Sequence, residues 1–251
     1  MPSARLQRVD ALRGFALLWM TGFHFCFDLA NAGLLQTNFY ADPFWTRQRT
    51  CILSLFLLCA GAGQALAIAR GQSWRHFAKR WLQISGCALL VSAGSYLLFP
   101  QTYIYFGVLH GMAVMLLVCR ALASGAAPLR WLLACALLVL AAYLAAPELI
   151  AQGTWSAELN GKAWNWLGLI SAKPFTEDYV PLAPWLAVML CGMAAMLWAL
   201  RRPPGPQAGA LEHTLLRPVA FLGRWSLTYY MLHQPLMLGG LALWQYACAT
   251  A

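Results

Sequence analysis

The chain reads as an all-α, polytopic membrane helical bundle of about seven transmembrane helices, with its N-terminus in the cytoplasm. Three observations lead there. Of 251 residues, 61% are apolar and only 10% charged, whereas soluble domains carry about 25% charged residues. Several apolar stretches approach or exceed the roughly 20 residues that cross a bilayer. The basic residues sit at the ends of these stretches and fall mostly on one side.

The spans follow in order, each an apolar run closed by polar or basic residues. The first covers about 11–31, from Asp10-Ala-Leu-Arg-Gly14 to His24-Phe-Cys-Phe-Asp28. The next are drawn at 51–69, 81–99, 104–122, 129–147 and 181–200. The seventh, 218–246, is long enough to tilt or to kink at Pro235. With the N-terminus inside, thirteen of the seventeen Lys and Arg residues face the cytoplasm, and only Arg47, Arg49, Lys162 and Lys173 face out. That asymmetry is the positive-inside rule. It also accounts for the net charge of +9 without a nucleic-acid partner, since no single basic patch forms.

Residues 1–251 are read as a single transmembrane domain without internal repeats. An inner linker runs from Arg201-Arg-Pro-Pro-Gly-Pro206 to Glu212. The outer segment 148–180 is the one long loop, with Trp155, Trp164 and Trp166 around Asn160-Gly161. Tryptophan favours the membrane interface, and the same residues would also serve as a lid or a sugar-stacking wall. The eight cysteines form no CxxC and no zinc-ligand spacing, so they read as small apolar packing groups and no metal is expected. Arg5, Arg8 and Ala30-Asn-Ala32 sketch a secretory signal. An uncleaved helix explains more, because cleavage would discard His24 and Asp28.

Arg13, His24 and Asp28 are the costly residues of the first span. Each ionisable group at mid-membrane costs roughly 2.5–3.5 kcal/mol on insertion scales, and such groups mark sites or partners. Arg13 and His24 differ by about 20° around the helix axis and lie about 16 Å apart along it. Arg13 therefore marks the inner mouth of the stripe, where Asp10 pairs with it at i−3. Asp28 follows His24 at i+4, placed to orient its ring as a carboxylate orients a catalytic histidine. His24, His110 and His233 fall at similar depth in the outer third of the membrane, while His76 and His213 belong to inner loops. Ser226, Tyr230 and His233, with Gln234 beside them, make a polar stripe on the last span. Gly107 and Gly111 flank His110 at a spacing that suits close helix packing. At the inner face Arg75, Lys79, Arg80, Arg13 and Arg224 provide either topology signals or a phosphate-binding mouth.

The Arg13-x10-His24 pattern after Asp10-Ala-Leu resembles the signature of acyltransferase family three membrane proteins. Longer pieces resemble the bacterial proteins similar to the heparan-α-glucosaminide N-acetyltransferase catalytic domain. They are His24-Phe-Cys-Phe-Asp28-Leu29, Tyr105-Phe-Gly-Val-Leu-His110, Asn165-Trp-Leu-Gly168, Asp178-Tyr-Val-Pro-Leu-Ala-Pro-Trp185 and Leu222-Gly-Arg-Trp-Ser-Leu-Thr-Tyr-Tyr-Met-Leu-His-Gln-Pro235. The resemblance implies a bacterial inner-membrane acyltransferase. It would move an acyl group, acetyl by expectation, from cytoplasmic acyl-CoA to a hydroxyl or amine of an extracytoplasmic glycan or small acceptor. Arg13 and His24 carry over as the motif pair, with Asp28, His110, Asp178, Arg224 and His233 as site-lining positions, and Trp185, Tyr230 and Gln234 are expected beside His110, Asp178 and His233 in binding the acceptor.

The mechanism expected from these residues has donor phosphates near Arg13, Arg75, Lys79 and Arg224. The thioester arm passes Leu17, Met20 and Thr21. His24 acts as base or as acyl carrier, and His110, Tyr230 or His233 bonds the oxyanion. Two other classes remain open at this point: a transporter built on the same polar stripes, and a haem-binding redox module using the three histidines. Oligomeric state is open as well, a homodimer included.

Overall fold

Long apolar runs lacking carboxylates fold as helices because a backbone in lipid must satisfy its own hydrogen bonds. The computed structural model describes residues 4–123, 129–151, 153, 155–202 and 210–250. In chain order the helices are α1 (Ala4–Asn31), α2 (Pro43–Ala69), α3 (Trp74–Leu98), α4 (Val108–Ala123), α5 (Leu129–Ala151), α6 (Ser156–Asn160), α7 (Leu182–Arg201), α8 (Ala210–Arg224) and α9 (Ser226–Thr250), with a 3-10 turn at Asn165–Leu167. Four of them, α2, α3, α5 and α7, are long and apolar enough to cross a membrane, and α4 is a shorter apolar helix.

The chain divides into two units, one made of Met1–Cys59 and Pro204–Ala251, the other of Ala60–Pro203. In the first, α1 packs against α8 and α9. The approach of α1 to α8 is close because glycines face backbone. A Cβ on Gly14 would overlap the Val219 carbonyl, and one on Gly223 would overlap that of Asp10. Leu17, Met20 and Ile52 form the core beside them, covered by Trp19, Phe23, Phe56, Tyr229 and Tyr230.

The second unit packs α3 on α4, and α7 on α4 and α5. Gly61 of α2 rests on the Met189 carbonyl of α7. An extended stretch before α7 pairs with the stretch before α4, through a parallel bridge between Phe106 and Tyr179. The Val180 amide donates to the Phe106 carbonyl at 3.1 Å.

Several expected boundaries move, with α1 starting at Ala4, α2 at Pro43 and α3 at Trp74, seven or eight residues before the spans drawn. The span drawn at 218–246 breaks at Trp225, so residues 218–224 belong to α8 and the apolar helix begins at Ser226. The outer segment 148–180 is not plain loop, since α5 extends to Ala151 and α6 and the 3-10 turn follow. His76 lies in the first turn of α3, where Ser73 Oγ caps its amide and meets its Nδ1 at 2.8 Å. The expected linker falls largely on residues 203–209, outside the described residues. His213 lies within α8, and its side chain is likewise outside the description.

Candidate functional site

The first unit brings His24 of α1 and His233 of α9 together, ring centroids 5.3 Å apart at 66°. His233 is buried. Its Nδ1 lies 2.7 Å from the Tyr230 carbonyl, and a carbonyl only accepts, so Nδ1 carries the proton. Nε2 is therefore the lone-pair nitrogen of the neutral ring, and it is buried without a partner among the described residues. Tyr229 stacks parallel on the same ring, with centroids 6.1 Å apart. The Tyr229 hydroxyl is fixed by Thr21 Oγ1 at 2.7 Å. Thr21 donates its own proton to the Leu17 carbonyl, so Tyr229 is the donor between them. His24 contacts Phe23 edge-on and has no hydrogen-bond partner among the described residues.

Asp28 is buried, but its carboxylate does not reach His24 as the i+4 spacing suggests. Gln234 Nε2 lies 2.9 and 3.0 Å from its two oxygens. The reason is directional. A carboxylate on α1 that faces α9 meets an amide donor there before it can fold back one turn along its own helix. Gln234 Oε1 is buried and has no partner among the described residues.

At the other end of α1, Arg13 pairs with Asp10 at 3.3 Å, the expected i−3 contact. Its Nη2 donates to the Cys59 carbonyl at 3.2 Å. Arg13 thus joins α1 to α2. Arg224 is exposed at the end of α8, its guanidinium 5.7 Å over Phe221. Leu17 and Met20, along which a donor arm was expected to pass, are closed into the core.

The second unit holds His110, Asp178, Trp185, Arg75 and Lys79. Asp178 Oδ2 accepts from the Val108 amide at 2.8 Å and so caps α4. A Cβ on Gly107 would strike that carboxylate, and one on Gly111 would strike the Val180 carbonyl. These glycines admit an extended segment, not the neighbouring helix their spacing suggested. The Gly107 amide donates to His110 Nδ1 at 3.3 Å, which leaves Nε2 protonated and facing Ser92 Oγ at 3.1 Å. Ser92 passes its proton on to the Ile104 carbonyl. Trp185 is half-buried in the first turn of α7, and Arg75 and Lys79 are exposed on successive turns of α3.

The outer loop is ordered by Asn165, only 1% exposed. Its Nδ2 donates to the Tyr105 hydroxyl at 2.8 Å, and its carbonyl accepts from Tyr179 at 2.6 Å. Burial pushes the Tyr179 phenol up from its ordinary pKa, with help from Tyr105 and Tyr143, so it stays a donor. Trp155 and Trp164 are exposed, while Trp166 donates to Ala163. Sequence reasoning gave no role to Tyr229 or Ser92. Tyr229 stands four residues before His233, a spacing that could have revealed it. Ser92 has no local signal, because its partner lies on another helix.

The profile of one protein family, described as heparan-alpha-glucosaminide N-acetyltransferase, catalytic, matches residues 5–235. No curated protein and no solved structure matches the chain.

Proposed function

The chain belongs to the heparan-alpha-glucosaminide N-acetyltransferase catalytic family, and from that premise we propose that this transmembrane acetyltransferase draws acetyl from cytoplasmic acetyl-CoA and delivers it to an extracytoplasmic acceptor. The acceptor is an amine or hydroxyl, a glycan by preference. The observation that carries the reading is the His24–His233 pair on α1 and α9, inside the matched region.

His24 has no competing hydrogen bond among the described residues, so it is the group to take the acceptor's proton as the nucleophile attacks. Passing that proton to the departing thiolate closes the balance, with one proton removed and one returned. His233 serves as its neighbour in a fixed tautomer, held by the Tyr230 carbonyl and by the Tyr229 face. Asp28, tethered by Gln234, keeps a carboxylate one turn from the imidazolium that forms on His24.

Acetyl-CoA supplies the activated thioester. Its phosphates call for cationic side chains, and of the four expected to hold them Arg224 on the first unit and Arg75 and Lys79 on the second are exposed. Arg13 and Asp10 fit less directly, being paired with each other. His110, Asp178 and Trp185 are assigned to the acceptor side of the second unit.

We read α1, α4 and α9 as joining the four long apolar helices to make seven spans in a bacterial inner membrane, N-terminus inside. The two units then form one catalytic domain, a reading supported by the family match, which runs through both. His24→Ala in isolated membranes is expected to abolish transfer from labelled acetyl-CoA, roughly a loss of 10²-fold or more for a missing acid–base group. The melting temperature of the purified variant should stay near that of the wild type. Undiminished transfer in a well-folded variant would overturn the assignment.

A further inference from the structure

Arg120, in the last turn of α4, is only 6% exposed. A buried guanidinium is costly unless its charge and its donors are matched. Nη2 donates to the Gln72 carbonyl. Nε and Nη1 are buried and have no partner among the described residues. Trp74 and Phe77 present ring faces 4.9 and 5.5 Å from Cζ, which attract the charge but give no acceptor to the in-plane N–H groups.

Among the described residues no carboxylate pairs with it. The sequence holds no acidic residue between Asp42 and Glu148. The acidic residues of the second unit are Glu148, Glu158, Glu177 and Asp178. Asp178 caps the opposite end of α4, about 18 Å along the axis from Arg120.

Arg120 also lies at a helix N-terminus. The carbonyl it bonds belongs to Gln72, immediately before the Ser73 cap of α3. Ser73 satisfies the His76 amide through its side chain and the Phe77 amide through its carbonyl. The Trp74 and Arg75 amides have no intrahelical acceptor, as expected of a first turn. The helix dipole there favours negative charge, and the exposed Arg75 side chain adds a cation.

We propose that Arg120, the first turn of α3 and Arg75 form a binding site for a phosphoester anion. Trp74, exposed over half its surface, is the cover that swings aside to present Nε and Nη1 as a fork. With a coenzyme A donor as its source the site rests on the acyl-transfer reading and extends the donor mouth at Arg75, whereas with lipid as its source it stands apart from that reading. Two sources supply the same chemistry: the 3′-phosphate of a coenzyme A donor and the headgroup of an anionic phospholipid.

The test uses the full chain in a neutral detergent supplemented with phosphatidylcholine. Binding of coenzyme A, dephospho-coenzyme A and phosphatidylglycerol is read by titration calorimetry and thermal melting. If the donor is the source, coenzyme A binds at least tenfold tighter than dephospho-coenzyme A, and Arg120→Gln removes that preference. If lipid is the source, phosphatidylglycerol raises the melting temperature and Arg120→Gln removes the rise. Arg75→Ala, an exposed change that spares the fold, should weaken the preferred ligand at least threefold and serves if Arg120→Gln does not fold. No preference for any phosphoester in the wild type overturns the proposal. So does a preference that survives both substitutions, or Arg75→Ala alone where Arg120→Gln does not fold.

Discussion

His233 presents Nε2 as a bare lone pair because its Nδ1 proton is committed to a backbone carbonyl of its own helix. The tautomer follows from a contact three residues away, so it survives any rearrangement that keeps α9 helical. Asp28 is different, since both its oxygens depend on the single amide of Gln234. Gln234→Leu should therefore strand a buried carboxylate, at a cost of about 1–3 kcal/mol or more. The expected sign is a melting temperature several degrees lower, recovered in large part by adding Asp28→Asn, which has no charge to strand. A single variant that melts like the wild type would show that water or lipid headgroups replace the amide. Of the residues singled out beforehand, the Arg13–Asp10 pair was legible because it is local to one helix turn. The Asp28–Gln234 contact was not, because its donor lies on a helix over 200 residues away in the chain.

Helix α8 shows how elements are fixed by what they lack. Gly223 and Gly14 allow the backbones of α1 and α8 to touch. Gly223→Ala would push a methyl into the Asp10 carbonyl, and overpacking of this kind costs about 1–3 kcal/mol. The change should lower thermal stability and reduce acetyl transfer together, since α1 carries both Asp10 and His24. Gly239→Ala is the matched control, because nothing lies within reach of its added carbon and alanine favours a helix by up to about 1 kcal/mol. Equal melting temperatures for the two variants would refute the close contact. Apolar length alone predicted most helices to within a turn or two. It failed at 218–246, where a single span drawn across Gly223-Arg224-Trp225-Ser226 hid the break at Trp225. Arg224 in the last turn of α8 and Ser226 at the start of α9 are local marks of a helix end and a helix start, and the break lies next to the Gly223 contact that draws α8 against α1.

At the scale of the whole molecule, the proposed orientation rests on where the cations fall. The chain holds three lysines, Lys79, Lys162 and Lys173, all exposed. A membrane-impermeant amine reagent applied to intact spheroplasts should label Lys162 and Lys173 and spare Lys79, with Lys79 labelled only after permeabilisation. Mass spectrometry of the tryptic peptides reads the result, and the reverse pattern would invert the topology. Helical membrane architecture, the basic asymmetry and the family were all determined by the sequence itself, because composition, apolar run length and short motifs are properties of the chain in one dimension. Which donor meets which acceptor was decided only by the tertiary structure. His24 beside His233, Asp28 on Gln234, Asp178 capping α4 and Arg120 left with two open N–H groups all join segments far apart in the chain. Directional bonds of a few ångströms between such segments depend on helix rotation and approach, and packing sets these where hydrophobicity does not.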